Sequence, residues 1–339
     1  MKVAVVGAGG LVGRRILSAL EESKLPVSAL VLTGHSRSVG KKMWFRGEEH
    51  PVIKTDVELL RRVDAVLLAT PAEVSRQLVP PLGGGPLVVD TSSAFRLDEA
   101  VPLVVPEVNG PAVRRHRGVI AGPNCSTIQM VMVLHPLHHK YGLRRVVVTT
   151  YQSVSGAGYA AMKQLESEVR VWLASGKPVL VPRGDAFPYP IAFNLIPHID
   201  AFTADGYTKE EMKLVLETRK ILGLPDLPIT ATAVRVPVFV GHSESILVET
   251  DLAPDVDEAR KVLASSPGIV VWDDPPSKTY PLPVMVEGKS QVFVGRVRRD
   301  LSSPRGLLLW VVADNLLRGA AVNAVGILET AYNMGLVQG

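Results

Sequence analysis

The N-terminal segment carries the pattern that most constrains the fold. An apolar run over residues 2–6 is followed by a glycine-rich loop, by an amphipathic stretch and by a second apolar run over 27–32. This order predicts a β-α-β unit with the glycines at the turn between the first strand and the helix. Glycine at that turn lets the backbone approach a phosphate closely. The loop reads Gly7-x-x-Gly10-x-x-Gly13, a variant of the dinucleotide-binding spacing, and the alternative is a tight turn that only packs the helix.

The end of the second predicted strand indicates which dinucleotide fits. Enzymes that use NAD usually place Asp or Glu there to bind the ribose hydroxyls. Residues 33–38 contain no acidic side chain and end in Arg37 and Ser38. Because arginine binds a 2′-phosphate through charge-assisted hydrogen bonds, the segment favours NADP, and the alternative is a solvated loop arginine. The predicted cofactor contacts in this part of the chain are Gly7, Gly9, Gly10, Leu11, Val12, Gly13, Arg37 and Ser38.

Two further apolar runs, over 65–69 and 87–90, extend the same pattern. Polar residues follow the second run, and the carboxyl ends of parallel strands form the sheet edge at which ligands bind. The sequence therefore predicts an α/β, Rossmann-type dinucleotide-binding domain over residues 1–125. A C-terminal helix at about 314–339 is rich in small residues, and we expect it to pack on this domain.

From about residue 145 the pattern of the chain changes. The predicted strands are no longer separated by regular helices, which indicates a second, α+β domain of mixed, largely antiparallel sheet over residues 126–313. Its predicted strands cover 146–154, 229–237, 245–251 and 291–299, and its predicted helices cover 159–174, 208–222 and 255–265.

Cys125 is the only cysteine of the chain. An apolar run over 119–121 precedes it and another over 128–134 follows it, which predicts a strand-to-helix turn with Ser126 or Thr127 near the cap. The helix dipole and the unpaired N–H groups at such a turn favour the thiolate, the reactive form of cysteine. The alternative is a small buried hydrophobic residue. A single cysteine excludes an intrachain disulfide and suits a reducing compartment.

Composition excludes several classes of protein. The net charge of +4 is modest and the basic pairs are scattered, so we expect no nucleic-acid binding. No apolar run reaches the roughly 18 residues of a membrane helix, and the N-terminal run is too short for a signal peptide, which suggests a cytoplasmic protein. His135, His138 and His139 offer two ligands on one helix face but no third, so we expect no metal.

Distinctive motifs occur along the whole chain. They are the loop from Gly7 to Gly13, Arg37-Ser38, Ser92 to Arg96, Pro123 to Thr127, Gln152 to Gly158, Phe193-Asn194 with Pro197, Glu210-Glu211 with Lys213, Glu217-Thr218, Arg235 with Pro237, His242 to Glu244, and Asn315 with Gly319 to Ala321. Together these motifs resemble those of the aspartate-β-semialdehyde dehydrogenase family. One departure is Gly9, where many members have threonine.

This resemblance implies a reaction and an assembly. Members reduce aspartyl phosphate to the semialdehyde with NADPH and release phosphate, on the pathway to lysine, methionine and threonine. Their second domain carries catalytic residues and the dimer contact, so a homodimer is expected, and the pairing of dimers into a homotetramer stays open.

The resemblance also implies roles for individual residues, which agree with the chemistry of their side chains. Cys125 would be the nucleophile that forms a thioester, and His242 its acid–base partner with a pKa near neutrality. Arg235 would bind the substrate carboxylate and Glu210 its ammonium group. The remaining roles are orientation of the acyl group by Gln152, binding of the phosphoryl group by Arg96, Asn124 and Lys213, and contact with the nicotinamide by Ser155, Gly156 and Asn315.

Three alternatives remain open at this point. N-acetyl-γ-glutamyl-phosphate reductase has the same chemistry, but its cysteine motif usually reads Gly-Cys-Tyr-Pro-Thr, and it has no amine for Glu210 to bind. Glyceraldehyde-3-phosphate dehydrogenase shares the thioester but lacks the segment from Arg235 to His242. A non-catalytic NADP-sensing regulator predicts loss of the thiol or the histidine, and Cys125 and His242 are both present.

Overall fold

The structure is a computed structural model that describes residues 1–337. Residues 338 and 339, the end of the predicted C-terminal segment, lie outside the described residues. The chain forms two compact units, which divide after residues 128 and 318 where the sequence suggested 125 and 313. Helical segments run across both divisions. The first unit contains residues 1–128, 220–222 and the chain from 319, and the second contains 129–219 and 223–318.

The first unit is built around a sheet of seven strands in the order β3-β4-β2-β1-β5-β6-β7. Neighbouring strands pair in parallel, except for the antiparallel edge pair β3 and β4. The elements are β1 (Lys2–Val6), α1 (Leu11–Glu22), β2 (Ala29–Gly34), β3 (Lys42–Phe45), β4 (Glu48–Lys54), α2 (Val57–Leu60), β5 (Ala65–Leu68), α3 (Ala72–Leu78), β6 (Leu87–Asp90), α4 (Pro106–Asn109) and β7 (Val119–Ala121).

The core of the first unit follows from the apolar runs. The central strands are valine- and leucine-rich over their whole length because helices cover both faces of a parallel sheet. Val66 and Leu68 of β5 and Val88 of β6 are at most 1% exposed. Helix α1 buries Ile16, Leu17 and Leu20 on one face.

The edge hairpin of β3 and β4 has no counterpart among the elements that the sequence predicts. Its strands carry charged side chains and Pro51, and most of their residues are exposed. Without apolar alternation a strand leaves no periodic signal. Proline and charge are typical of edge strands, which they protect from pairing with other chains.

The second unit contains a six-stranded sheet in the order β11-β12-β13-β10-β8-β9. Three pairs are antiparallel, and the two outer pairs, β11 with β12 and β8 with β9, are parallel, which agrees with the predicted mixed sheet. The elements are α5 (Cys125–Tyr141), β8 (Leu143–Gln152), α6 (Tyr159–Ser175), α7 (Lys209–Leu222), β9 (Ile229–Arg235), β10 (His242–Thr250), α8 (Val256–Ala264), β11 (Ile269–Val271), α9 (Pro283–Val286), β12 (Val292–Arg299) and β13 (Gly306–Ala313).

Two elements near the C-terminus differ from the sequence-based expectation. Strand β13 was missed because its continuous apolar run has no period-2 alternation. The final helix does not begin at 314: a π-helical turn covers Leu317–Val322, and the α-helix α10 covers Asn323–Asn333. Helix α10 packs on α1, β5 and β6 of the first unit, where its small residues allow close approach.

Candidate active site

A cavity of about 960 Å³ in the first unit contains the glycine loop. Gly7, Gly9 and Gly10 line it together with Ser38 from the end of β2. Its size suits a nucleotide. Leu11, Val12 and Gly13 continue from the loop into α1. The residues at the cavity wall are Val6, Gly7, Gly9, Gly10, Gly34, His35, Ser36, Ser38, Val39, Lys54, Thr55, Ala69, Thr70, Pro71, Val74, Gln77 and Leu78.

The chemistry of the loop fits a phosphate group. Gly10 is the N-cap of α1, no side chain caps this helix end, and the first turn contains no acidic residue. The N-terminal N–H groups can therefore bind an anion. A Cβ on Gly9 would lie 2.6 Å from the Ser38 Oγ, so the Ser38 side chain occupies the space that a residue with a side chain would need. Ser38 thus explains the departure at position 9 and places a hydroxyl over the loop.

The cavity wall near the end of β2 includes a lysine that the sequence did not indicate. Lys54 is the last residue of β4 and pairs in register with Gly34 of β2. Arg37, the predicted phosphate ligand, is exposed in the turn after β2 and is outside the cavity wall. Lys54 escaped prediction because the parallel pairing of β4 with β2 brings it there.

Cys125 is the first residue of α5 and follows the turn after β7, as predicted. Asn124 caps the helix, and Ser126 and Thr127 lie near this cap, as predicted. The Asn124 Oδ1 accepts hydrogen bonds from the backbone N–H groups of Ser126 at 3.0 Å and Thr127 at 3.4 Å. The thiol group is half-buried at the positive end of a helix of 17 residues, where a negative charge is stabilised.

Arg96, a predicted phosphoryl ligand in the same unit, is held by backbone carbonyls. Its Nε donates to the Gly122 oxygen at 2.9 Å and its Nη2 donates to the Thr91 oxygen at 2.7 Å. The Nζ of Lys220 donates to three carbonyl oxygens of the following loop, residues 96–101, at 2.7–2.8 Å. These contacts fix a buried guanidinium beside the turn that leads to Cys125.

Three predicted site residues of the second unit lie at one edge of its sheet. Gln152 ends β8 and Arg235 ends β9, and the two are directly paired in the parallel register. His242 begins β10, which runs antiparallel to β8. The start of an antiparallel strand lies beside the ends of its neighbours, so strands far apart in sequence deliver these side chains to the same edge.

The hydrogen bonds of His242 determine which of its two ring nitrogens carries the proton. Its Nδ1 accepts from the backbone N–H of Ser153 at 3.1 Å and contacts the Ser153 Oγ at 3.0 Å. A backbone N–H can only donate, so the proton of the neutral ring is on Nε2. Nε2 itself is buried and has no hydrogen-bond partner within residues 1–337.

The expected pKa near neutrality for His242 is wrong. Complete burial and the neighbouring Arg235 guanidinium lower the pKa of His242 to about 3. Both effects penalise the imidazolium, the first by desolvation and the second by charge repulsion. The ring is therefore neutral at physiological pH and is a hydrogen-bond donor through Nε2.

Arg235 is 6% exposed and is held from two sides. Its Nη1 donates to the Ser153 oxygen at 2.7 Å, and its guanidinium carbon lies 5.7 Å from the centre of the Phe187 ring. A Cβ on Gly156 would lie 3.1 Å from both Arg235 Nη1 and His242 Nε2. Glycine at 156 therefore leaves the space beside these two donors open. Phe187 is a site residue that the sequence did not indicate.

The buried Glu210 is the centre of a polar cluster that extends to the protein surface. Its Oε1 accepts from the Gln152 Nε2 at 3.1 Å, and its Oε2 accepts from the Lys213 Nζ at 2.9 Å. Lys213 also donates to Asp200 at 2.8 Å. Burial alone would lower the pKa of Lys213, but the two carboxylates outweigh it and the pKa is raised. One ammonium against two carboxylates leaves the cluster with a formal negative charge.

Ser155 and Asn315, two of the residues predicted for the nicotinamide end, belong to one hydrogen-bond network. Asn315 Oδ1 accepts from the hydroxyl of Ser153 at 3.0 Å and from the N–H of Gly241 at 2.9 Å. Asn315 Nδ2 donates to the Ser155 Oγ at 3.0 Å. Ser153 thus joins this network to His242. It lies in the segment from Gln152 to Gly158 that matches the family, but the sequence predicts no site role for it.

No group of three His, Cys, Asp or Glu residues that could hold a metal occurs within residues 1–337. In the same part of the chain, no helix has both the length and the apolar character that crossing a membrane requires.

Comparison with known proteins decides the family. The semialdehyde dehydrogenase NAD-binding domain matches residues 2–116, and the semialdehyde dehydrogenase dimerisation domain matches residues 134–318. Aspartate-semialdehyde dehydrogenase of Aquifex aeolicus is 48% identical, and that of Bacillus subtilis is 46% identical, each over 99% of both chains. The chain belongs to the aspartate-semialdehyde dehydrogenase family.

Solved structures agree with this assignment. Aspartate semialdehyde dehydrogenase II from Vibrio cholerae is 42% identical with a TM-score of 0.92 over 98% of both chains, in two crystal structures of which one is complexed with ASA. Aspartate semialdehyde dehydrogenase from Candida albicans, determined with NADP, is 26% identical with a TM-score of 0.74 over 99% of both chains.

Proposed function

We propose that the chain catalyses the NADPH-dependent reductive dephosphorylation of L-aspartyl 4-phosphate to L-aspartate 4-semialdehyde. The reaction supplies lysine, methionine and threonine biosynthesis. The observation that carries the proposal is the position of the single cysteine. Cys125 is the first residue of a long helix, and the Arg96 guanidinium of the same unit donates to the oxygen of Gly122, three residues before Cys125.

Cys125 is the covalent carrier of the acyl group. Its thiolate attacks the acyl carbon, a C–S bond forms, and the C–O bond to phosphate breaks with the electron pair leaving on phosphate. The dinucleotide supplies the hydride when it is bound. After reduction the C–S bond breaks, the thiolate leaves, and the acyl carbon becomes the aldehyde. The proton taken up in the net reaction is carried away by the phosphate.

His242 acts as a donor and not as a proton carrier. The Ser153 N–H donates to Nδ1 and so fixes the proton of the ring on Nε2. The Nε2–H group of the ring stabilises the oxygen of the acyl group while that oxygen carries negative charge. Since thiolate both enters and leaves the cycle, the reaction needs no proton from the ring. This role replaces the acid–base role suggested by the sequence.

Different polar side chains bind different groups of the substrate. Arg235 binds the carboxylate at C1 of the substrate, because a guanidinium presents two parallel N–H groups. Glu210 binds the ammonium, since its cluster carries a formal negative charge. Arg96 and Asn124 bind the phosphoryl group. Lys213, which two carboxylates neutralise, holds Glu210 in place, and Gln152 links Glu210 to the end of β8.

The cofactor is NADP. The glycine loop and the N-terminus of α1 hold its pyrophosphate, and the residues around Arg37, Ser38 and Lys54 hold its 2′-phosphate. Ser155, Gly156 and Asn315 belong to the nicotinamide end. The two proposed domains are a dinucleotide-binding domain of residues 1–125 with the C-terminal segment from 314, and a catalytic and dimerisation domain of residues 126–313.

The protein forms a homodimer through its dimerisation domain. It works in the cytoplasm, and phosphate is the second product of the reaction. N-acetyl-γ-glutamyl-phosphate reductase is disfavoured because Glu210 would then face no amine. A regulator without activity is disfavoured because the thiol and the imidazole are both retained.

The test is phosphate-dependent reduction of NADP by aspartate semialdehyde, with N-acetylglutamate semialdehyde as the control substrate. Cys125→Ala should abolish turnover while NADP still binds, because the glycine loop is unchanged. With aspartyl phosphate and no cofactor, mass spectrometry of the wild type should show one acyl adduct on the peptide that carries Cys125. An active Cys125→Ala variant, or an adduct on another residue, would exclude this mechanism.

A further inference from the structure

Two buried polar side chains of α6, Gln164 and Glu168, hold the loop that follows the helix. Both are at most 1% exposed. Their side chains are joined, since the Gln164 Nε2 donates to the Glu168 Oε1 at 2.9 Å. Neither residue contacts a group to which the reaction assigns a role, and neither belongs to the motifs of the family resemblance. Their hydrogen bonds nevertheless lead to the substrate site.

Glu168 accepts three backbone N–H groups of the loop. Its Oε2 accepts from Ile191 at 2.7 Å and from Ala192 at 2.9 Å, and its Oε1 accepts from Arg183 at 3.2 Å. With the Gln164 amide, four donors converge on one carboxylate. Such an arrangement stabilises the buried charge and fixes the backbone that donates to it.

Gln164 continues the same arrangement to Phe187. Its Oε1 accepts from the backbone N–H of Ala186 at 3.1 Å and of Phe187 at 3.3 Å. The loop backbone is thus held at five N–H groups by two side chains of one helix. The Phe187 ring packs against a buried apolar cluster that includes Val154 and Leu165.

The Phe187 ring in turn faces the guanidinium of Arg235, 5.7 Å from ring centre to guanidinium carbon. This distance is within the range of a cation–π contact. The hydrogen bond from Arg235 Nη1 to the Ser153 oxygen fixes one end of the guanidinium, and the ring limits its rotation about that bond.

We propose that Gln164 and Glu168 are positioning residues for substrate recognition: they hold Phe187 against Arg235 and so fix the plane in which Arg235 meets the substrate carboxylate. The inference rests on the proposed function, since it takes Arg235 as the carboxylate ligand. A bidentate guanidinium–carboxylate pair requires that the two planes coincide. Loss of the Phe187 ring, or of the hydrogen bonds by which Gln164 and Glu168 hold its loop, therefore weakens binding of the semialdehyde more than it slows the chemical step.

The experiment compares four variants in the phosphate-dependent oxidation of aspartate semialdehyde. Phe187→Leu keeps the apolar volume and removes the ring face, and Glu168→Gln disturbs the anchor. Glu166→Gln is the matched control, because Glu166 is on the same helix but forms only ion pairs with Lys163 and Arg170 at the surface. Arg235→Leu reports whether this arginine binds the carboxylate at all.

We expect Phe187→Leu and Glu168→Gln to raise the KM for the semialdehyde about fivefold to twentyfold, the range of a partly desolvated cation–π contact. The KM for phosphate and kcat should stay within about twofold to threefold of the wild type, and Glu166→Gln should match the wild type. Hydrogen exchange should show faster exchange of the Ile191 and Ala192 amides in Glu168→Gln only.

Two outcomes would overturn the inference. One is an unchanged semialdehyde KM in Phe187→Leu while Arg235→Leu raises it strongly. The other is a Glu168→Gln variant that loses kcat in proportion to its folded fraction with no change in KM. If Arg235→Leu itself leaves the semialdehyde KM unchanged, the assignment of the carboxylate ligand in the proposed function fails instead. Phe187→Leu alone decides the inference if Glu168→Gln does not fold.

Discussion

Glu168 and Glu244 are both completely buried carboxyl groups of the second unit, and their surroundings are opposite. Glu168 accepts four N–H donors. Both oxygens of Glu244 lack a hydrogen-bond partner within residues 1–337, and the Oγ1 of Thr150, directly opposite in the register of β8 and β10, also lacks one. Burial raises the pKa of Glu244 well above its usual range, and the nearby Gln129 side chain opposes this only in part.

The difference teaches that hydrogen-bond donors, and not burial alone, decide how an interior carboxyl group is accommodated. Four N–H groups replace the water that the Glu168 carboxyl group loses on folding. Around Glu244 only the Gln129 side chain opposes the effect of burial, and burial outweighs it, so the neutral, protonated form is favoured. Glu244 lies two residues after His242 on β10, where the imidazole is kept neutral by the same absence of solvent.

The largest expected effect on stability comes from substitution of Glu168. Glu168→Gln turns an amide group toward donors that need an acceptor, so we expect the free energy of unfolding to fall by about 3 kcal/mol. Glu166→Gln, which removes only surface ion pairs, should change it by less than about 0.5 kcal/mol. Urea unfolding followed by circular dichroism measures both. Equal changes in the two variants would show that the four donors do not distinguish Glu168.

The second effect extends the comparison to a base. The pKa of His242 is about 3 in the folded chain and about 6.5 when unfolded, so between these values the unfolded chain binds a proton that the folded chain does not. Stability from this group is therefore lost as pH falls below 6.5, by about 2 kcal/mol between pH 7 and pH 5. His242→Gln should lose correspondingly less over this interval in the same unfolding measurement. Identical pH dependence in the variant and the wild type would contradict the neutral, buried ring.

The smallest expected effect on stability comes from substitution of Glu244. It is a gain, whereas substitution of Glu168 lowers stability. Because its folded-state pKa is raised, Glu244 contributes stability below the unfolded pKa of about 4.5, and this is lost as pH rises. Glu244→Gln keeps the shape of the protonated group without this loss, so it should raise stability by about 1 kcal/mol at pH 7. The gain should shrink toward pH 4.5. A destabilised variant at pH 7 would mean that Glu244 is charged and paired in the folded protein.

The sequence by itself determined the family, the dinucleotide loop and the strand-to-helix turn of Cys125. These features are local: Gly7 to Gly13 follow a strand directly, and Cys125 lies between two apolar runs, so a few neighbouring residues specify them. The central strands of the first sheet could be predicted for the same reason. The edge hairpin of β3 and β4, strand β13 and the π-helical turn could not, since their residues lack a period that identifies one type of structure.

Only the tertiary structure decided the chemical state of the site. The neutral His242 with its proton on Nε2 depends on the backbone of Ser153, which is 89 residues away in the chain. The anchoring of Phe187 by Gln164 and Glu168 depends on a loop that folds back on its own helix. Charge and tautomer are set by which donors and acceptors surround a group once water is excluded, and strand pairing and loop packing bring those groups together from distant parts of the chain.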